Sequence, residues 1–145
     1  MGSRTAIYML AVVLVAGVAL AWFVMHPTPP SAPPPLTPEA KAYIHDGHIQ
    51  LSEVTMKATE SYVKQMVTEI EGKVTNSGDR TVKLAEVFCI FYNSYGEMIL
   101  RERVPIVKTV LKPGESRDFR LPFDTIPSTW NNQMPQVVIA RIDFS

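Results

Sequence analysis

The chain has 145 residues, enough for one ordinary domain and too few for two with separate cores. Its 14 Lys and Arg balance 14 Asp and Glu, which excludes the basic footprint of a nucleic-acid binder and an acidic tail. The single cysteine, Cys89, excludes an internal disulfide and a thiolate cluster for zinc.

Residues Ala6 to Met25 form an uncharged stretch whose most polar members are Gly17 and Tyr8. At 1.5 Å per residue it makes a helix of about 30 Å, the thickness of a bilayer's hydrocarbon. Tyr8 and Trp22 fall near its ends, where amphipathic rings settle in a membrane. Arg4 is the only charged side chain before the stretch, and none follows until Glu39. The positive-inside bias therefore predicts a cytoplasmic N-terminus and an extracytoplasmic remainder. A cleaved signal peptide ending at Ala19-Leu20-Ala21 is the competing reading. The run continues through Trp22, Phe23, Val24 and Met25, which favours a retained anchor over residues 1–25. Gly17 and Ala21 form a small-xxx-small pair of the kind that lets helices pack closely.

His26 to Pro38 holds seven prolines in thirteen residues. Each fixes φ and lacks an N–H, so the expectation is an extended spacer reaching up to about 40 Å. Residues 39–145 are the expected folded domain. Thr37-Pro38-Glu39 has the form of an N-cap, a proline at the first helical position and an acid in the first turn, predicting a short helix over Pro38 to His45.

Beyond Gly47 the pattern is alternation. Ile49 and Leu51, then Val54, Met56 and Ala58, change phase at Ser52-Glu53, as a bulged strand does. Met66, Thr68, Ile70, Gly72 and Val74 share one face of a second strand, with Glu69, Glu71 and Lys73 on the other. After the turn at Asn76 to Asp79, a third strand runs from about Thr81 to Tyr92. Glu97 to Val107 is a fourth, which Pro105 places at a sheet edge. Phe119, Leu121 and Phe123 mark a fifth strand, and Ile126 to Gln133 a loop with one helical turn at Pro127 to Asn131. The last strand is Gln136 to Phe144, with Val138, Ala140, Ile142 and Phe144 on one face. The expected class is all-β: an antiparallel immunoglobulin- or fibronectin-like sandwich of about six to seven strands, preceded by a transmembrane helix and a short helix.

The segments Glu71-Gly72-Lys73-Val74-Thr75-Asn76-Ser77-Gly78, Val87 to Gly96, and Leu111-Lys112-Pro113-Gly114-Glu115 with Phe119 resemble the FxLYD-type domains. The chain is also similar to related bacterial families built as a membrane helix plus one small sandwich. Asn93 stands where the family pattern has Asp, a change that keeps turn chemistry. The resemblance covers about residues 66 to 123 and implies an extracytoplasmic accessory or interaction domain without catalytic residues.

The residues themselves assign no catalytic group, metal ligand or cofactor. His45-Asp46-Gly47-His48 is metal-like in composition, but a glycine turn does not fix two imidazoles in convergence. Cys89, between Phe88 and Ile90, is expected in the core. Glu69 and Glu71 sit about 7 Å apart on one strand face, a spacing that a row of solvated charges explains. The least ordinary feature is on the third strand. Val82, Leu84, Phe88, Ile90 and Tyr92 share the face opposite Ala85, Val87, Cys89 and Phe91, where a half-exposed strand is usually polar. Two explanations stand: cover by Ala42, Tyr43 and Ile44 of the short helix, or a surface for an envelope protein or for self-association. The expected function is a membrane-tethered, non-catalytic interaction module in the bilayer through residues 6–25, with no nucleic-acid partner. A small-ligand domain binding a glycan or a metal is the alternative.

Overall fold

A computed structural model describes residues 2–26, 34–60 and 63–145, in two compact units, 1–34 and 35–145. Most of the spacer, residues 27–33, lies outside the described residues. The first unit holds helix α1, Gly2–Met25. Its apolar length fits a membrane span and equally a signal sequence. Every described side chain along it is exposed, including the expected anchor residues Ala6, Tyr8, Gly17, Trp22 and Met25. His26 closes its last turn, with its ring stacked on Trp22 at 4.2 Å.

The second unit opens with α2, Pro38–His45. Thr37 caps it, its hydroxyl accepting from the Ala40 N–H at 3.2 Å. Six strands follow: β1 (Ile49–Glu60), β2 (Met66–Asn76), β3 (Val82–Tyr92), β4 (Met98–Val107), β5 (Ser116–Phe123) and β6 (Gln136–Phe144). They form two antiparallel three-stranded sheets, β1-β2-β5 and β4-β3-β6. The phase change read at Ser52-Glu53 is a bulge: Ser52 pairs with Lys73 and Thr55 with Glu71, setting Glu53 and Val54 against Gly72 alone, with Glu53 at φ 53°. Pro105 lies on β4, an edge strand as its proline requires.

One core lies between the sheets. Ile70, Val74, Phe119, Leu121 and Phe123 from the first sheet meet Val82, Ala85, Val87, Cys89, Phe91 and Ile142 from the second. The rings of Phe91 and Phe123 meet edge-on across it at 5.0 Å, and Trp130 adds a third ring 5.7 Å from Phe91.

The motif glycines and asparagines each have a packing task. A Cβ on Gly72 would overlap the Phe119 ring, and one on Gly78 would overlap the Tyr43 hydroxyl. Asn76, fully buried, is the polar hub of the α2 end. Its Oδ1 accepts from Tyr43 Oη at 2.7 Å and the Gly78 N–H at 3.3 Å. Its Nδ2 donates to the carbonyls of Arg80 at 2.7 Å and Leu111 at 3.1 Å. All four side-chain bonding positions are thus engaged. Gly114, at φ 83°, completes the latch by donating its N–H to the Asn76 carbonyl at 2.6 Å.

Four expectations are corrected. Val82 is fully buried, because a register shift between Val82 and Leu84 turns it into the core and off the outer row. On β6 a second shift puts Val87 opposite Ile139 and Phe88 opposite Val138, so Val138 leaves the face of Ala140 and Ile142. Pro127 to Asn131 is a hydrogen-bonded turn, closed by the Trp130 N–H on the Pro127 carbonyl at 3.1 Å, with no helix. Helix α2 does not cover the outer row: Tyr43 is buried at the end of the sandwich, edge-on to Phe144 at 5.0 Å and bonded to Asn76.

Candidate functional site

The outer face of the sheet β4-β3-β6 is the candidate. Leu84, Phe88, Ile90 and Tyr92 stand on it in one row, all half-buried. Strand alternation puts them there, since Ala85, Val87, Cys89 and Phe91 fill the core. Their cross-strand neighbours complete the surface. Phe88 lies between Arg103 of β4 and Val138 of β6, and Ile90 between Arg101 and Gln136. Tyr92 pairs with Met98 and donates its hydroxyl to Gln136 Oε1 at 2.8 Å. Met98 is 56% exposed, and Tyr95, at the tip of the β3–β4 hairpin, is 90% exposed.

That hairpin tip is rigidly made. Asn93 Oδ1 accepts from the N–H groups of Tyr95 and Glu97, both at 2.9 Å, and Gly96 takes φ 78°. Asn93 Nδ2 adds a bond to Glu97 at 2.8 Å, which ties the turn again.

Charge on this face is arginine-rich. Arg103 is bonded to Glu86, and Arg141 to Asp143 at 2.6 Å. Arg101 lays its guanidinium over the Phe88 ring at 4.4 Å and has no carboxylate partner among the described residues. A cation held on an aromatic face beside exposed Tyr and Met has the composition of interface hot spots. Tyr95, Met98, Arg101 and Val138 belong to the site and were not singled out in the sequence. Two of them, Met98 and Val138, join it only through the register shifts on β4 and β6.

The other chemistry-bearing residues are engaged elsewhere. Cys89 is fully buried, and burial first, with the Glu102 charge second, pushes its thiol up to about 12. Glu69 and Glu71 share Arg120, each at 2.8 Å, and Lys57 lies 2.6 Å from Glu71. The Lys57 bond first and the Arg120 bond next hold the Glu71 carboxyl down at about 2. Such a carboxylate is an ion-pair member rather than a proton donor near neutral pH. His45 turns to Asp46 at 3.4 Å while His48 packs on Tyr43, ring centroids 4.9 Å apart. Among the described residues no three His, Cys, Asp or Glu side chains come together to hold a metal.

A separate cavity of about 200 Å³ opens at the end opposite α2, lined by Met66, Thr68, Phe123, Asp124, Ser128, Trp130 and Asn132 among others. The Trp130 indole N–H beside it is buried without an acceptor among the described residues.

No family model matches the chain, and no curated protein matches it. Among solved structures, the chain is similar to the crystal structure of a Bordetella pertussis protein assigned as ApaA. The two are 18% identical over 66% of this chain and 90% of that one, with a TM-score of 0.39.

Proposed function

We propose that the protein is a single-pass, membrane-tethered module whose β-domain stands outside the cytoplasm and binds another envelope protein without performing catalysis. The observation that carries this reading is the outer row of β3. Phe88, Ile90 and Tyr92, extended by Met98 and Tyr95, form apolar surface that α2 does not cover. Contiguous apolar surface of this kind marks a contact, and the stacked Arg101 supplies the charged anchor such contacts favour.

The rest of the reading has its own support. The uncharged span of α1, with Arg4 before it, favours an anchor with a cytoplasmic N-terminus. The sheet order β1-β2-β5 and β4-β3-β6 supports an immunoglobulin- or fibronectin-like sandwich, with β1, β2 and β5 as strands A, B and E and β3 beside β6 as C beside F. The packing tasks of Gly72, Asn76, Gly78 and Gly114 favour the resemblance to FxLYD-type domains, because those motif positions serve the frame. Engagement of Glu69, Glu71 and Cys89 in ion pairs and core supports a non-catalytic role.

The test is photo-cross-linking of the full-length protein in its native membrane. A benzophenone amino acid at Ile90 is expected to yield a discrete protein adduct, and one at Thr55, on the outer face of the other sheet, none. Adducts at Thr55 alone, or at neither position, would overturn the reading.

A second reading rests on the cavity beside Trp130. An aromatic wall with Thr68, Asp124, Ser128 and Asn132 around it suits a small polyhydroxylated ligand such as one sugar residue. Thermal stabilisation by monosaccharides, lost in Trp130→Ala, is the expected result if this reading holds.

A further inference from the structure

We infer that β6 is a self-pairing edge: the β6 strands of two copies of this chain align antiparallel about a two-fold axis at Val138, joining their β4-β3-β6 sheets into one. The inference takes the membrane tether from the proposed function and rests otherwise on the four strand edges of the domain.

Edges present unpaired N–H and C=O groups, and folded proteins blunt them with prolines, charges and bulges. Three of the four edges here are blunted. Strand β4 carries Pro105 and β5 carries Pro122. Strand β1 is broken by the bulge at Glu53 and Val54 and bears Glu53, Lys57 and Glu60. Strand β6 differs. Its residues Gln136-Val137-Val138-Ile139-Ala140 carry neither charge nor proline. On the side away from β3, no strand pairs with them and no backbone hydrogen bond reaches them among the described residues.

The same window sets the register. Pro135 bounds it on one side, and the Ala140 bulge with Arg141 bounds it on the other. An antiparallel two-fold pairing that uses all five residues is centred on Val138. It sets Val138 opposite the second copy's Val138, Val137 opposite Ile139, and Gln136 opposite Ala140, with no charge facing a like charge. The nearest charges, Arg141 and Asp143, lie beyond the window and neutralise each other on the same strand at 2.6 Å. Val138 flanks Phe88 on the outer face, so the pairing makes the two apolar rows contiguous. Chains tethered in one membrane meet at raised effective concentration, which favours so short an edge contact.

The experiment uses the full-length protein in lipid nanodiscs and in its native membrane. Directly opposed side chains place their Cβ atoms about 4.5–5.5 Å apart, near disulfide reach. Val138→Cys is expected to give a covalent dimer on oxidation and Thr55→Cys a monomer, with buried Cys89 silent in both. Val138→Lys puts two ammonium groups on the axis and is expected to abolish the wild-type dimer mass while leaving the melting temperature of the domain in place. Cross-linking at both positions or at neither, or a Val138→Lys protein that stays dimeric, overturns the inference.

Discussion

The two outer faces of the domain are built on the same backbone pattern and finished in opposite ways. On the β1-β2-β5 sheet, Lys57, Glu69, Glu71, Lys73 and Arg120 interlock across three strands, with Glu53 brought to Lys73 at 3.1 Å by the β1 bulge. Each of these charges has a partner, which suits a surface facing water. On the β4-β3-β6 sheet the central strand offers Phe88, Ile90 and Tyr92, and Arg101 rests on a ring in place of a carboxylate. A sheet face meant only for water needs no such row. The proposed function assigns interaction to the second of these faces and solubility to the first.

The contrast presumes a common frame, and breaking that frame has the largest expected effect. Phe91→Ala removes the ring that meets both Phe123 and Trp130. Its expected cost is about 4 kcal/mol in urea denaturation, with the signals of both faces lost in a single transition. Asn76→Ala empties the hub at the α2 end and removes its bonds to the Tyr43 hydroxyl, the Gly78 N–H and the Arg80 and Leu111 carbonyls. About 3 kcal/mol is expected, against about 1 kcal/mol for Tyr43→Phe, which deletes the hydroxyl's bonds to Asn76 and Arg80 and keeps the ring.

The next experiments separate the faces. Glu71 has a folded-state value of about 2 against an ordinary 4.5, so its ion pairs stabilise the fold above the ordinary value. That contribution is lost as pH falls from 4.5 toward 2. Denaturation midpoints followed across that window are expected to fall in the wild type and to flatten in Glu71→Gln. On the other face, Ile90→Ser is expected to change stability by under about 1 kcal/mol while removing any partner adduct. A larger loss of stability would make the row a part of the fold rather than a surface.

Much of the frame was legible in the sequence because period-two alternation and turn chemistry act locally. The Thr37 cap, the β1 bulge, the split of β2 into Gly72 and Val74 against Glu71 and Lys73, and the burial of Cys89 all follow from neighbours within a few residues. What alternation could not show is where a partner strand shifts register. Val82 and Val138 changed faces for that reason, and nothing in either strand alone marks the shift. The same limit hid Met98, which reaches the outer row because Ile99 falls in the shift opposite Phe91 and Tyr92. The position of helix α2 along the chain was legible, and its position in space, left between two explanations, was not. Tyr43 pairs with Asn76, 33 positions away, a contact that no local pattern encodes. Arg101 gave no signal either, since only the cross-strand placement shows it on Phe88 instead of on an acid.

The claim that the outer face of the β4-β3-β6 sheet is a protein contact is tested most directly by hydroxyl-radical footprinting. Tyr92, Tyr95 and Met98 would be compared in the native membrane and in the purified full-length protein, with Met66, 60% exposed at the start of β2, as the reference. The account predicts several-fold protection of Tyr92, Tyr95 and Met98 in the membrane and unchanged labelling of Met66. Equal labelling of all four in both preparations would contradict it.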